Sequence, residues 1–138
     1  MHEHFPLPDA SFAPLRPFWD AAAAERLVMP YSARHGRIAW YPDDESDRYD
    51  WREVSGRGSL YSWAVVTQAF LPQYRDLLPF ATGLVALEED PSVRLVSLIV
   101  DCDPAQLAVD QPLEVVFRPL RFAGVDGEQM APHFKPAG

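Results

Sequence analysis

Thirteen consecutive residues limit most what this chain can fold into: Val54-Ser55-Gly56-Arg57-Gly58-Ser59-Leu60-Tyr61-Ser62-Trp63-Ala64-Val65-Val66. The Gly-Arg-Gly step lets the backbone turn a tight corner, and the aromatic and β-branched run behind it suits a strand. From Trp51 onward the pattern is β. Further strand-like runs follow at about 80 to 87, 93 to 100 and 113 to 118, with 130 to 134 as a closing piece. Glu88-Glu89-Asp90-Pro91 is short enough for a hairpin. Asp103 and Pro104 predict a single helical turn, the first as its cap and the second at its first position.

Five such strands, one long connection at 67 to 79 and one helical turn fit a mainly β fold, a small closed barrel of the OB type, with a β-sandwich as the fallback. Closure explains why both faces of Leu60 to Val66 are apolar: one would line the barrel and the other would take the N-terminal helix. That helix is predicted from about Pro14, where Leu15, Phe18, Trp19, Ala22 and Ala23 recur at helical spacing. Pro14 and Pro17 suit its first turn, and Arg26 would complement the dipole at its end. Before it, residues 1 to 13 read as an extended arm with Pro6 and Pro8. After it, 27 to 42 form two strand-like pieces around His35-Gly36, a hairpin with glycine supplying a positive φ. An acidic run, 43 to 50, reads as a solvated loop. The organisation expected is therefore an arm at 1 to 13, helix plus hairpin at 14 to 50, and the barrel at 51 to 138.

A chain of 138 residues supports one compact domain, and a hydrophobic share of 48% supplies its core. The formal charge of -8, with Lys135 the one lysine, sets the chain against polyanions and makes nucleic acid an unsuitable partner. A single cysteine, Cys102, excludes an internal disulfide. No apolar run reaches the ~20 residues that span a bilayer, and the start shows no leader, so a cytoplasmic setting is expected.

Several residues invite a chemical reading. Arg57, flanked by glycines, could meet a phosphate or carboxylate, or it could simply pair with an acid at a barrel corner. The connection at 67 to 79 carries Phe70, Tyr74 and Arg75, and is too long for a hairpin. It could cover the barrel mouth or present aromatic anchors to a partner. Cys102 lies between Asp101 and Asp103, whose charges oppose thiolate formation. His35 and His133 lack the companions of a general base, and His2 and His4 sit in the terminal arm. No catalytic constellation is evident.

Taken together, Pro17-Phe18-Trp19, Leu27-Val28, His35-Gly36-Arg37, Trp40-Tyr41-Pro42, the pattern Trp-x-x-Val-Ser-Gly-Arg-Gly-x-x-Tyr-Ser from Trp51, and Leu113-Glu114-Val115-Val116-Phe117 resemble domain of unknown function family 35. The resemblance implies an N-terminal helix, a small rubredoxin-like zinc ribbon and an OB-fold, with an association with acyl-CoA and thiolase-like enzymes. It further implies a noncatalytic accessory subunit docking on a thiolase-like or hydratase-like partner. In that setting Arg57, Phe70, Tyr74 and Arg75 are the candidates for contact with acyl-CoA or the partner, and Arg52 is another cation that could meet its phosphates. No cofactor is implied beyond acyl-CoA as a ligand, and a homo-oligomer stays open.

The chain departs from the family at the metal. The two Cys-x-x-Cys pairs fall on Ser32 and His35 and near Ser46 and Tyr49, so a ribbon without metal is expected, held by packing of Tyr31, Ile38, Trp40 and Tyr41. Asp110 stands where the family often has glycine. The alternatives are a stand-alone acyl-CoA thioesterase or hydratase and, against the charge, a single-stranded nucleic-acid binder stacking bases on Tyr61, Trp63 and Phe70.

Overall fold

The computed structural model describes residues 3–43 and 49–138. His2, Ser46 and most of the acidic loop lie outside the described residues. Residues 3–12 are not extended. They wind through turns, with Leu7 N donating to the His4 carbonyl at 2.9 Å, and the Leu7 side chain is buried.

A 3-10 turn, Ala13–Leu15, runs into helix α1, Arg16–Ala23, with Pro14 and Pro17 in the opening turns as their missing N–H requires. Phe18, Ala21 and Ala22 form its buried face. The helix stops at Ala23, so Arg26 lies beyond its last turn and pairs with Glu53 at 3.4 Å instead of facing the dipole. Glu25 takes a left-handed φ of 57° in the turn that follows.

A three-stranded sheet comes next. Strand β1, Val28–Ser32, lies between β2, Arg37–Ile38, and β3, Tyr49–Glu53, antiparallel to both. The turn between β1 and β2 passes through Gly36 at φ 65°. Strand β3 contains Trp51, which the sequence pattern assigned to the barrel. It pairs with β1 instead, Trp51 opposite Pro30, because a partner strand is chosen by tertiary contact and not by local alternation.

The remaining strands are β4, Arg57–Val66; β5, Phe80–Leu87; β6, Arg94–Ile99; β7, Pro112–Leu120; and β8, Gln129–Pro136. They close in the order β4-β5-β6-β8-β7, and β7 returns to β4 over Arg57–Ser59. The fold is mainly β, a closed five-stranded OB-type barrel with one short N-terminal helix. All neighbours are antiparallel except β6 and β8, a parallel contact at Ile99 and Phe134. Leu60, Val85, Leu87, Leu113 and Phe134 fill the barrel. Two turns follow their residue chemistry. Asp103 accepts from Ala105 N at 3.0 Å to cap the 3-10 turn Pro104–Gln106, and Asp110 adopts φ 62°, the left-handed conformation that glycine would take freely and aspartate tolerates.

Helix α1 does not cover β4. It lies against β8 and β1, with Phe18 in edge contact with Trp19 at 5.0 Å and near Trp40 at 5.2 Å. Tyr61 and Val65 on β4 are left exposed, with no helix over them among the described residues.

Candidate functional site

The corner that opens β4 is a packing point. Gly56 has φ 79°, and a Cβ on it would sit 2.3 Å from Val115 Cγ1; one on Gly58 would sit 2.4 Å from the Ala86 carbonyl oxygen. Only residues lacking Cβ pass between these strands. Arg57 leaves the corner into solvent, where its Nη2 lies 3.2 Å from Glu88 Oε2. Ser55 binds the same turn, donating from N to Glu89 Oε2 at 2.6 Å and from Oγ to Glu88 Oε2 at 3.0 Å. The Arg57 guanidinium, and after it the Ser55 hydroxyl, hold the Glu88 carboxyl below the usual range. An exposed pair of this kind contributes little stability, but it engages Arg57 with an acid. Arg52 is engaged as well, 2.7 Å from Asp50 and stacked 3.7 Å above the Tyr31 ring.

The far half of β4 is different. Leu60 exchanges backbone bonds with Gln111 and Asp110 at 3.0 and 2.8 Å. From Tyr61 to Val66 the strand keeps β5 on one side and has no strand partner on the other among the described residues. Tyr61 and Val65 are exposed, and Arg94 stacks 3.7 Å over the Tyr61 ring. The connection that follows contains a 3-10 turn, Pro72–Leu77. Phe70 on it is 96% exposed, with Leu71 and Leu77 also in solvent. Tyr74 turns inward, stacked 5.9 Å from Phe80 and tilted 5.2 Å from Phe122. Arg75 is exposed and makes no ion pair among the described residues.

Phe70 and Arg75 therefore share one loop surface, and Tyr74 anchors that loop from beneath. Arg57 stands at the opposite end of β4, at its first residue, whereas the loop follows its last. The four candidates do not converge on one site.

A sequence profile described as "ChsH2, C-terminal OB-fold domain" matches residues 51–118. A DUF35 domain-containing scaffold protein of Methanothermobacter thermautotrophicus is 30% identical over 102 residues, 74% of this chain and 66% of the relative. A protein of the same description from Methanocaldococcus jannaschii is 32% identical over 75 residues, 54% of this chain and 51% of the relative. Among solved structures, a chain of "Ltp2-ChsH2(DUF35) aldolase" superposes with a TM-score of 0.71 at 27% identity, over 91% of this chain and 95% of that one. The chain belongs to the DUF35 family. Its match spans between about half and two thirds of the curated DUF35 relatives' own length.

The zinc that a DUF35 ribbon implies does not suit the residues present. Ser32 is buried, and its hydroxyl accepts the His35 backbone N–H at 3.2 Å. The Tyr49 hydroxyl accepts from Asp43 N at 3.0 Å and donates to Asp43 Oδ1 at 3.2 Å. Hydroxyls supply no thiolate charge to balance a zinc ion. Among the described residues no three His, Cys, Asp or Glu side chains converge. Ile38 and Trp40 pack on the core, while Tyr31 lies under Arg52 and Tyr41 leans on Trp40 at 4.5 Å with most of its surface exposed. Elsewhere in this DUF35 chain, burial first and then Asp101 and Asp103 push the Cys102 thiol up, leaving a poor nucleophile.

One feature escaped the sequence pattern. Helix α1, Trp40, Tyr41 and the outer sides of β6 and β8 enclose a cleft of about 300 Å³. His133 stands in its wall, 6% exposed, with Nδ1 3.0 Å from the Ala131 carbonyl oxygen. A carbonyl only accepts, so Nδ1 carries the proton and Nε2 presents a lone pair. Burial pushes the imidazole below its ordinary value, Ala131 opposes this, and Arg118 adds to the lowering. The available signal was the alternation of β8, which sets His133 opposite the core residue Phe134; the helix that buries it came from the far end of the sequence. No helix among the described residues is long and apolar enough to cross a membrane.

Proposed function

We propose that this chain is a noncatalytic accessory subunit, a scaffold that docks on a thiolase-like or hydratase-like enzyme and helps to shape a channel for an acyl-CoA ester. The observation that carries this reading is the bare half of β4 with its following loop. From Ser59 to Tyr74 no side chain is charged, in a chain whose formal charge is -8. Natural edge strands are protected by charge, proline, bulges or a cover; beyond the register shift at Leu60/Ser62 and Arg94 over Tyr61, Ser62 to Val66 carries no charge or proline of its own and has no second strand partner among the described residues. Such an edge can accept a partner's extended segment by backbone hydrogen bonds, with Phe70 as the aromatic anchor beside it. The likeness to DUF35 scaffold proteins and to a chain of the Ltp2-ChsH2(DUF35) aldolase supports the accessory role.

Arg75, on the loop, has no carboxylate partner among the described residues, and in this reading it meets an acyl-CoA phosphate at the docked interface. The test is co-purification of the tagged chain from its native cell, with the bound proteins identified by mass. A thiolase-like or hydratase-like protein is expected with wild type and should be lost with Phe70→Asp, whose fold is checked by circular dichroism. Equal recovery of that protein by both forms would overturn the docking face. Turnover of an acyl-CoA by the chain alone would replace the accessory reading with the enzymatic one. For the ligand, isothermal titration of acyl-CoA onto the complex should show binding that weakens with Arg75→Ala; no binding to the complex or the free chain would remove acyl-CoA from the proposal.

A further inference from the structure

We propose that the cleft beneath α1 binds a small, flat, uncharged carbonyl compound, a ketone or ester on an apolar skeleton, whose oxygen accepts the hydrogen bond that Trp40 Nε1 has to give. The site uses no residue of the docking face, so it stands or falls apart from the accessory reading. Trp40 is part of the cleft wall, and its indole nitrogen is buried without a hydrogen-bond partner. A buried donor that lacks an acceptor is a standing cost, recovered when an acceptor arrives. The hydroxyls of the barrel wall are already engaged: Ser97 donates to the Leu98 carbonyl at 2.9 Å and Thr82 to the Ser97 carbonyl at 3.5 Å. Trp40 is thus the buried side-chain donor of this wall that is left uncommitted among the described residues.

The other walls decide the skeleton. Phe18 and Trp19 face Val96 and Leu120 across the cleft, and packed rings favour a flat guest. Among the described residues no charged side chain lines the cleft, so a carboxylate or phosphate would shed its water without meeting a counter-ion. A neutral carbonyl brings the acceptor at far lower cost. An apolar pocket with one placed polar group is the usual form of a small-molecule site, in which the walls supply affinity and the polar group supplies choice. Because Nε1 is closed to solvent, an occupant reaches it by displacing a neighbouring ring. Tyr41 is the ring with room to move, 4.5 Å from Trp40 and 64% exposed, whereas Phe18 is held in the core. Binding therefore includes a swing of Tyr41.

The full chain, labelled with nitrogen-15, is titrated at neutral pH with 2-acetylnaphthalene and, separately, with 2-isopropenylnaphthalene, which has the same shape with a methylene in place of the oxygen. The ketone is expected to move the Trp40 indole N–H proton downfield, as a new hydrogen bond does, and the alkene is not. In Trp40→Phe, which keeps a ring in the wall and removes the donor, the ratio of ketone to alkene affinity should fall about fivefold relative to wild type, as one lost hydrogen bond implies. Comparing ratios cancels the different hydration of the two probes. An unchanged ratio would overturn the proposal. So would the absence of a downfield shift at Trp40 with the ketone in wild type, a result that needs no variant to fold and that would leave the indole donor to a carbonyl of a partner protein.

Discussion

At the scale of single residues, the two glycines of the Gly-Arg-Gly corner carry more of the fold than the arginine between them. A Cβ on Gly58 meets a backbone carbonyl, which cannot move without dragging β5, so Gly58→Ala should cost ~2 to 3 kcal/mol. At Gly83 the nearest atoms are ends of side chains, Leu60 Cδ1 at 3.0 Å and Ile99 Cγ1 at 3.1 Å, and Gly83→Ala should cost ~1 kcal/mol or less. Urea denaturation of the two variants checks this order. A second residue-scale prediction concerns acid. Arg118 grips Asp101 with two nitrogens, at 2.7 and 2.5 Å, and its hydrogen bonds hold the Asp101 carboxyl below the usual carboxylate range. A carboxyl lowered by folding adds stability that is fully present above its unfolded pKa and fades as pH drops toward the folded one. Asp101→Asn, which keeps the left-handed backbone accessible, should flatten the fall of melting temperature below about pH 4. His133 works with the same sign at a higher pH. Its folded pKa is depressed below 6.5, so the unfolded chain binds the proton more readily and stability declines as pH drops below about 6.5. His133→Phe should remove that part of the profile.

At the scale of elements, α1 and the loop after β4 make opposite predictions. Phe18 is 5% exposed and joins the helix to Trp40 and the core, so Phe18→Ala should cost ~3 to 4 kcal/mol. On the loop, Tyr74→Ala should cost ~1 to 2 kcal/mol because it unstacks Phe80 and Phe122, whereas Phe70→Ala should change stability by less than ~0.5 kcal/mol. Thermal unfolding of the two loop variants separates the anchor from the displayed ring. The local pattern does not divide these neighbours, since both are aromatic and four residues apart. It did reveal β4 through β8 to within a few residues, because β-branched runs, an acidic turn with Pro91 and the Asp103-Pro104 cap are local signals. Strand β3 was misassigned because its partner, β1, is known only once the small sheet has formed.

At the scale of the whole molecule, what the sequence hid was which surface would be covered. An apolar outer face on β4 and an amphipathic helix look like partners on paper, yet the helix goes to β8 and β1, and Arg57 opens the ten-residue strand while Phe70, Tyr74 and Arg75 lie on the loop after it. The chain's charge leads to a further expectation. Because the run from Ser59 to Tyr74 carries none of the formal -8, the association constant with the proposed partner enzyme should change by less than about threefold between low and high salt, as measured by ultracentrifugation. A steep salt dependence would place the contact elsewhere.

Strand β8 sits between β6 and β7, in ladder register with the first at Ile99 and with the second along its length. A ribosome making this protein has therefore delivered β4, β5 and β6 as successive antiparallel neighbours long before the segment that bridges them to β7 exists. Until residues 129–136 emerge, the nascent barrel has a gap where Phe134 belongs, and a message broken before that codon yields a product with an open core for quality control to find.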